Sequence, residues 1–171
     1  MRSPIVVRSV LPSDWREVRA LRLQALADTP IAFGETLATA ERLDDDEWRM
    51  RAGRGQRDHA ALLAAITPEG TWVGTMGGYV DGPDGSGAGA MLVGVFVAPT
   101  HRGRQPAVAD ALLASIEEWA ATEGTTLTLH VHEDNPRAVA FYERRGFVRT
   151  GRTVPYVLAQ GSRELEMRKT V

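Results

Sequence analysis

Residues 91–119 read MLVGVFVAPTHRGRQPAVADALLASIEEW, and the fold is read outward from them. Met91 to Val97 is an apolar, β-branched run of strand length. Pro99 stops it, because proline has no N–H to give to a ladder. A polar turn rich in Gly and Arg follows, Thr100 to Gln105. Then Val108, Leu112, Ile116, Trp119 and Ala120 recur at the spacing of an amphipathic helix, with Pro106 in its first turn. Strand, basic turn, helix is an arrangement that binds phosphate. The helix N-terminal amides and dipole favour an anion, and Arg102 and Arg104 are fork-shaped cations. A Gly-poor turn is a weak motif, so an ordinary strand-turn-helix with two solvated arginines stays open at this point.

The flanking segments supply further elements. Before the central stretch, Ile5–Ser9 reads as a strand and Asp14–Ala27 as a helix capped by Ser13, with Trp15, Val18, Leu21, Leu23 and Leu26 apolar. Residues 30–42 read as a loop carrying Ala32-Phe33-Gly34-Glu35. A second helix spans Asp44–Ala52, its acidic start facing water, and 51–58 is a polar turn. His59–Thr67 and Thr71–Val80 are strands about the turn Pro68-Glu69-Gly70. The DGPDGSGAG segment at 81–89 is the expected mobile loop. After the central stretch, Thr125–His132 is a strand, Asn135–Arg145 a helix with Pro136 in its first turn, and Phe147–Thr153 and Glu164–Lys169 are closing strands.

The 171 residues suit one domain, 1–171, with a sizeable core and no linker or repeat. A net charge of −2 gives no global attraction to nucleic acid or to an anionic membrane. The absence of cysteine excludes a disulfide scaffold, a thiolate nucleophile and a Cys-based metal site. No apolar run approaches the ~20 residues of a spanning helix, and the N-terminus is too polar for a signal peptide. The expected location is cytoplasmic.

Two pieces of the chain, taken together, resemble the GNAT superfamily of acyl-CoA N-acyltransferases. One is Val95-x-Val97-x-Pro99-x-x-Arg102-Gly103-Arg104. The other, more specific, is Leu129-x-Val131-x-x-x-Asn135-x-x-Ala138-x-x-Phe141-Tyr142-Glu143-x-x-Gly146-Phe147. The ending Glu164-Leu165-Glu166-Met167 resembles the family's final strand. The resemblance implies an α/β (α+β) fold. Its mixed, mostly antiparallel sheet has about seven strands flanked by about four helices, and it splays between the 92–97 and 125–132 strands. It implies acetyl-CoA as co-substrate, with the pantetheine arm against Val95, Phe96 and Val97 and the Val95 amide polarising the thioester carbonyl. It implies a pyrophosphate site in the turn of Arg102, Gly103, Arg104, Gln105, Ala107 and Val108. It gives Asn135 to the pantetheine or to positioning Tyr142, and makes Tyr142 the acid that protonates the departing thiolate.

The turn departs from the family pattern, since Gln105 stands where Gly is usual. A two-residue insertion within Gln105-Pro106-Ala107 restores the helix phase from Val108 to Leu112. Gln105 enters positive φ less readily than Gly, and Pro106 offers no N–H, so the phosphate cradle is altered.

Each residue also has a plainer role. Tyr142 can be core, Asn135 only a helix cap, and Arg102 a solvated cation. His130 and His132 have the spacing of a strand metal site but no acidic or Cys ligands at clear spacing, so no metal is expected.

The reaction expected is acetyl transfer from acetyl-CoA to a primary amine. The amine, with a pKa near ~10, must first lose a proton. Glu35, Glu133, His130 and His132 are the candidate bases, and Glu35 and Phe33 would border the acceptor site in this family. The expected partner is a small-molecule amine, with a weak tilt towards a cationic one from the net charge and the acidic loop; a homodimer is left open. The competing classes are a non-catalytic acyl-CoA-binding sensor and a protein N-terminal or lysine acetyltransferase. A nucleotide-binding protein is disfavoured, because the chain has no Gly-Lys-Ser/Thr phosphate loop.

Overall fold

A computed structural model describes residues 5–81, 89–103 and 107–171. The loop expected at 81–89 therefore falls mostly outside the described residues, as do Arg104, Gln105 and Pro106. In chain order the elements are β1 (Val6–Ser9), α1 (Trp15–Asp28), α2 (Leu37–Glu41), α3 (Asp45–Ala52), β2 (Ala60–Ile66) and β3 (Trp72–Val80). They continue as β4 (Ala90–Val97), α4 (Val108–Glu123), β5 (Thr126–His132), α5 (Pro136–Glu143), β6 (Val148–Pro155) and β7 (Arg163–Thr170).

The strands form one seven-stranded sheet of order β1-β2-β3-β4-β5-β7-β6. Every neighbouring pair is antiparallel except β4 and β5, which run parallel. That parallel seam needs a crossover connection, and α4 supplies it.

α4 lies against β3 because β3 presents glycines there. A Cβ at Gly78 would come within 2.3 Å of the Trp119 ring, and one at Gly74 within 3.0 Å of Val108 and Leu112. Val108, Leu112, Ile116 and Ala120 are buried and Asp110 is exposed, the phase expected if the preceding turn is longer than usual. No helix among the described residues is long and apolar enough to cross a membrane.

Two local expectations are corrected. Ser13 does not cap α1. The chain first makes a short 3-10 turn, Pro12–Asp14, and the Asp14 carboxylate accepts from the Leu11 N–H at 2.8 Å and from Arg8. Residues 30–42 are not all loop, because Thr36 Oγ1 accepts from the Thr39 N–H at 3.1 Å and starts α2. The acidic start of α3 behaves as expected: Asp44 and Glu47 form a reciprocal capping box.

The seam positions the site. β4 and β5 pair only at Ala90↔Leu127 and Met91↔Thr128. Beyond those residues β5 stays paired with β7 along its whole length, and β4 stays paired with β3. The β4–β3 register shifts between Thr75 and Gly77, so β4 carries one extra residue around Gly94–Val95. Gly94 sits at φ 61°, which a residue with a Cβ adopts only at a cost. This bulge bends β4 away from β5, and the sheet splits along the expected line.

Candidate active site

A cleft of about 870 Å³ occupies the split. Its walls are Leu92–Val97 of β4, Leu129–His132 of β5, the cleft side of α5, and the loop after α1 through Phe33. Strand edges here face the cleft instead of each other, so backbone N–H and C=O groups are available to an extended ligand.

Of the residues singled out from sequence, Val95, Phe96, Val97, Arg102, Gly103, Asn135 and Tyr142 line this cleft. Ala107 and Val108 do not. Ala107 is the residue before α4, and Val108 points its side chain into the core near Gly74, so each could serve a ligand only through its backbone.

Tyr142 is 7% exposed and belongs to both core and cleft. Its ring meets Phe141 edge-on at 5.2 Å between centroids and Phe147 at 5.5 Å, so packing fixes its position. Burial pushes the hydroxyl above the ordinary tyrosine range, so it stays protonated at neutral pH. Asn135 caps α5, its Oδ1 accepting from the Ala138 N–H at 3.2 Å, and it still lines the cleft. Both of the roles considered for it therefore fit one position.

Arg102 is not a free cation. Its Nε donates to the Val97 carbonyl at 2.7 Å, its Nη atoms pair with Asp28 at the end of α1, and it lies over the Phe96 ring. Hydrogen bonds from Arg102 and Thr29 hold the Asp28 carboxyl below its usual range. Arg102 thus braces the turn against α1. Sequence reasoning missed other cations at the cleft. The side chains of Arg137 and Arg144 line it without a hydrogen bond or ion pair to the described residues, and Arg145 does so while paired with Asp110 at 2.7 Å. For Arg144 and Arg145 the signal was the basic pair just after Tyr142-Glu143.

The geometry separates the candidate bases. Glu35 accepts from Arg22 at 3.0 Å and from Arg51 at 2.6 and 3.0 Å. Burial pushes its carboxyl up, but the Arg51 hydrogen bonds and the two positive charges outweigh that and hold it below its ordinary value. A carboxylate so held is a poor proton acceptor, and it lies outside the cleft lining. Glu133 is also outside it, and accepts from the Arg163 N–H at 3.0 Å.

His132 lines the cleft, but its Nδ1 accepts the Asp134 N–H at 3.1 Å. In the neutral ring the proton then sits on Nε2, which can donate but not accept. His130 lines the cleft too, with Nε2 3.5 Å from the buried carboxylate of Glu166. Burial raises Glu166; a hydrogen bond from Thr150, the His130 contact and Arg152 and Arg168 outweigh it and keep the group ionised. A carboxylate behind a histidine is the arrangement that orients a base.

The described residues hold no group of three or more His, Cys, Asp or Glu side chains placed for a metal.

The model of the acetyltransferase (GNAT) family matches residues 23–147. No curated protein matches the chain in sequence. Among solved structures, a GCN5-related N-acetyltransferase from Kribbella flavida is 25% identical, with 98% of each chain covered and a TM-score of 0.73. A ribosomal-protein-alanine N-acetyltransferase from Brucella melitensis is 23% identical over 97% of this chain and 99% of its own, with a TM-score of 0.77. A spermidine N-acetyltransferase from Vibrio cholerae, solved with CoA and spermine, is 19% identical over 97% and 95%, with a TM-score of 0.75. At these identities the last two speak to the fold alone.

Proposed function

Since the chain belongs to the GNAT family of acetyltransferases, and is an acyltransferase, we propose that it moves the acetyl group of acetyl-CoA to the primary amine of a small molecule. The observation that carries this reading is the split seam. β4 and β5 stop pairing after Met91 and Thr128, and their facing edges border one cleft with Tyr142 on its wall. The pantetheine arm carries amides and suits an open strand edge as an added strand would. Gly103 (φ 105°) and the cations Arg137 and Arg144 suit its phosphates, on the turn that Arg102 braces. CoA-bound relatives of the same fold agree with this choice of donor.

Acetyl-CoA supplies the activated thioester, and the rest is work for this chain's residues. The Val95 N–H, at the bulge, is the donor for the carbonyl oxygen as negative charge gathers there. His130, steadied by Glu166, takes the proton that the incoming ammonium must lose, directly or through one water. The amine nitrogen forms the new C–N bond, the C–S bond breaks, and the second proton that the nitrogen sheds ends on the released thiol. Tyr142 shares its proton with the departing sulfur. Its raised pKa makes full transfer to a thiolate uphill, since a thiol has a pKa of about 8.5, so the hydroxyl acts first as a strong hydrogen-bond donor.

The test is free-thiol release from acetyl-CoA over a panel of amines, beside calorimetry with acetyl-CoA alone. Binding with amine-dependent release supports the enzyme. Binding without release from any amine points to a sensor, release only with peptides points to a protein acetyltransferase, and no binding at millimolar acetyl-CoA overturns the donor.

A further inference from the structure

A second concavity, of about 530 Å³, lies beside the cleft, and its charge is opposite to what the acidic sequence around it suggests. Arg22, Arg51 and Arg54 line it together with Glu35, Thr36 and Thr39. Glu35 contributes one negative charge against three positive ones. From Arg22 it accepts the Nε–H, and neither Nη group of that side chain pairs with a carboxylate among the described residues. The Arg54 side chain makes no hydrogen bond or ion pair to the described residues. Partial burial first, then the charges of Arg51, Arg57 and Arg22, pull the Arg54 pKa below its ordinary value against the charge of Glu35. Three guanidinium groups around one carboxylate leave an unmet demand for a second anion, and the Arg22–Glu35–Arg51 pairs hold the forks in place to receive it.

The concavity adjoins the cleft through a single side chain. Phe33 lines the cleft, Gly34 and Glu35 line the concavity, and the Arg22 guanidinium lies 4.5 Å from the Phe33 ring centroid. Phe33 is itself fixed, because the Tyr156 hydroxyl donates to its carbonyl at 2.8 Å and the Tyr156 ring packs edge-on against His132 of the cleft. A short molecule with its amine in the cleft could rest its other end on the arginines.

Resting on the acetyltransferase reading above, we propose that the acceptor is a small amine carrying an anionic group, a carboxylate or a phosphate, held by Arg22, Arg51 and Arg54. This reverses the tilt towards a cationic acceptor drawn from net charge. Net charge sums the whole chain and does not show that three arginines gather around one carboxylate here.

The experiment compares acceptors matched in length: ω-amino acids, phosphoethanolamine, neutral alkylamines and ethanolamine, and diamines, at saturating acetyl-CoA. The anionic members are expected to exceed their neutral partners at least about tenfold in kcat/KM, as one charge-assisted hydrogen bond implies; which anionic arm is faster tells carboxylate from phosphate. Arg54→Gln should lower that ratio about tenfold, mainly through KM of the amine, and Arg54→Glu should turn the preference towards diamines. In parallel, arginine Nε–H NMR signals are followed while 4-aminobutanoate or inorganic phosphate is added without acetyl-CoA. Shifts of the Arg22 and Arg51 signals that weaken in Arg54→Gln support the site even if no acceptor in the panel turns over. Equal rates for anionic and neutral amines, faster diamines, or unmoved arginine signals overturn it while leaving the acetyltransferase reading intact. An Arg54 variant that weakens acetyl-CoA binding instead assigns the cluster to the donor and overturns it as well.

Discussion

The two ends of the β4–β5 seam are made of different material. At the paired end, Ala90 and Leu127 are fully buried and the strands join in regular parallel register. At the open end stand a glycine at positive φ, two histidines, a buried carboxylate and a buried tyrosine hydroxyl. The first end stabilises by removing apolar surface from water. The second holds buried polar groups, each of which costs stability unless something compensates. One pair of strands thus contains an anchor and a working site a few residues apart.

The comparison breaks first at Tyr142. Tyr142→Phe keeps the ring against Phe141 and Phe147 but removes the proton, so turnover should fall by about 10²–10⁴ while acetyl-CoA affinity and melting temperature hold. Donors with a more acidic thiol should lose less. Wild-type turnover with every donor would make Tyr142 a packing residue.

The anchor end should answer in stability instead. Leu127→Ala empties a fully buried position and should cost roughly 2–5 kcal/mol in urea unfolding. The KM for acetyl-CoA should not move in the protein that stays folded. A large change in KM would show that the two ends are one unit.

Gly94→Ala tests the bulge. At φ 61° a Cβ costs roughly 1–2 kcal/mol, although space for the methyl itself is open. Either the melting temperature drops by several degrees with the bulge kept, or the bulge flattens and acetyl-CoA binding weakens about tenfold. A variant unchanged in both, by calorimetry and thermal unfolding, would remove the bulge from the account.

The smallest effect is in pH. Glu166 has a folded pKa below its ordinary 4.5, so its contribution to stability is present above about 4.5 and is lost as pH falls through the lower folded value. Glu166→Gln should flatten the acid limb of stability below about pH 4.5 and lower turnover through His130. An identical acid limb in the variant would place the charge linkage elsewhere.

Some of this was legible in the chain. The strand-turn-helix at 91–119 and the Asn135 to Phe147 segment give themselves away because period, proline position and fixed spacing are local properties. Through the family they resemble they imply the split seam and the place of Tyr142, whereas the strand order came from the structure. Helix α2 was missed because its five residues are too few to show a period, and only Thr36 and Thr39 mark its start. The four candidate bases looked alike in sequence, because a carboxylate or imidazole takes its character from partners far along the chain. Arg51 reaches Glu35 across 16 residues, and Glu166 reaches His130 across 36.

The sequence by itself determined the local strands and helices, since repeating apolar spacing and a few backbone-restricted residues decide local conformation, and its resemblance to a family implied the split and the residues along it. Tertiary structure alone decided the charges. It tied Arg102 to Asp28, turned Glu35 from a candidate base into a support for arginines, and left Arg54 with a positive charge unmatched among the described residues. Electrostatic character falls off with distance in space rather than along the chain, so it is settled only when the elements have packed.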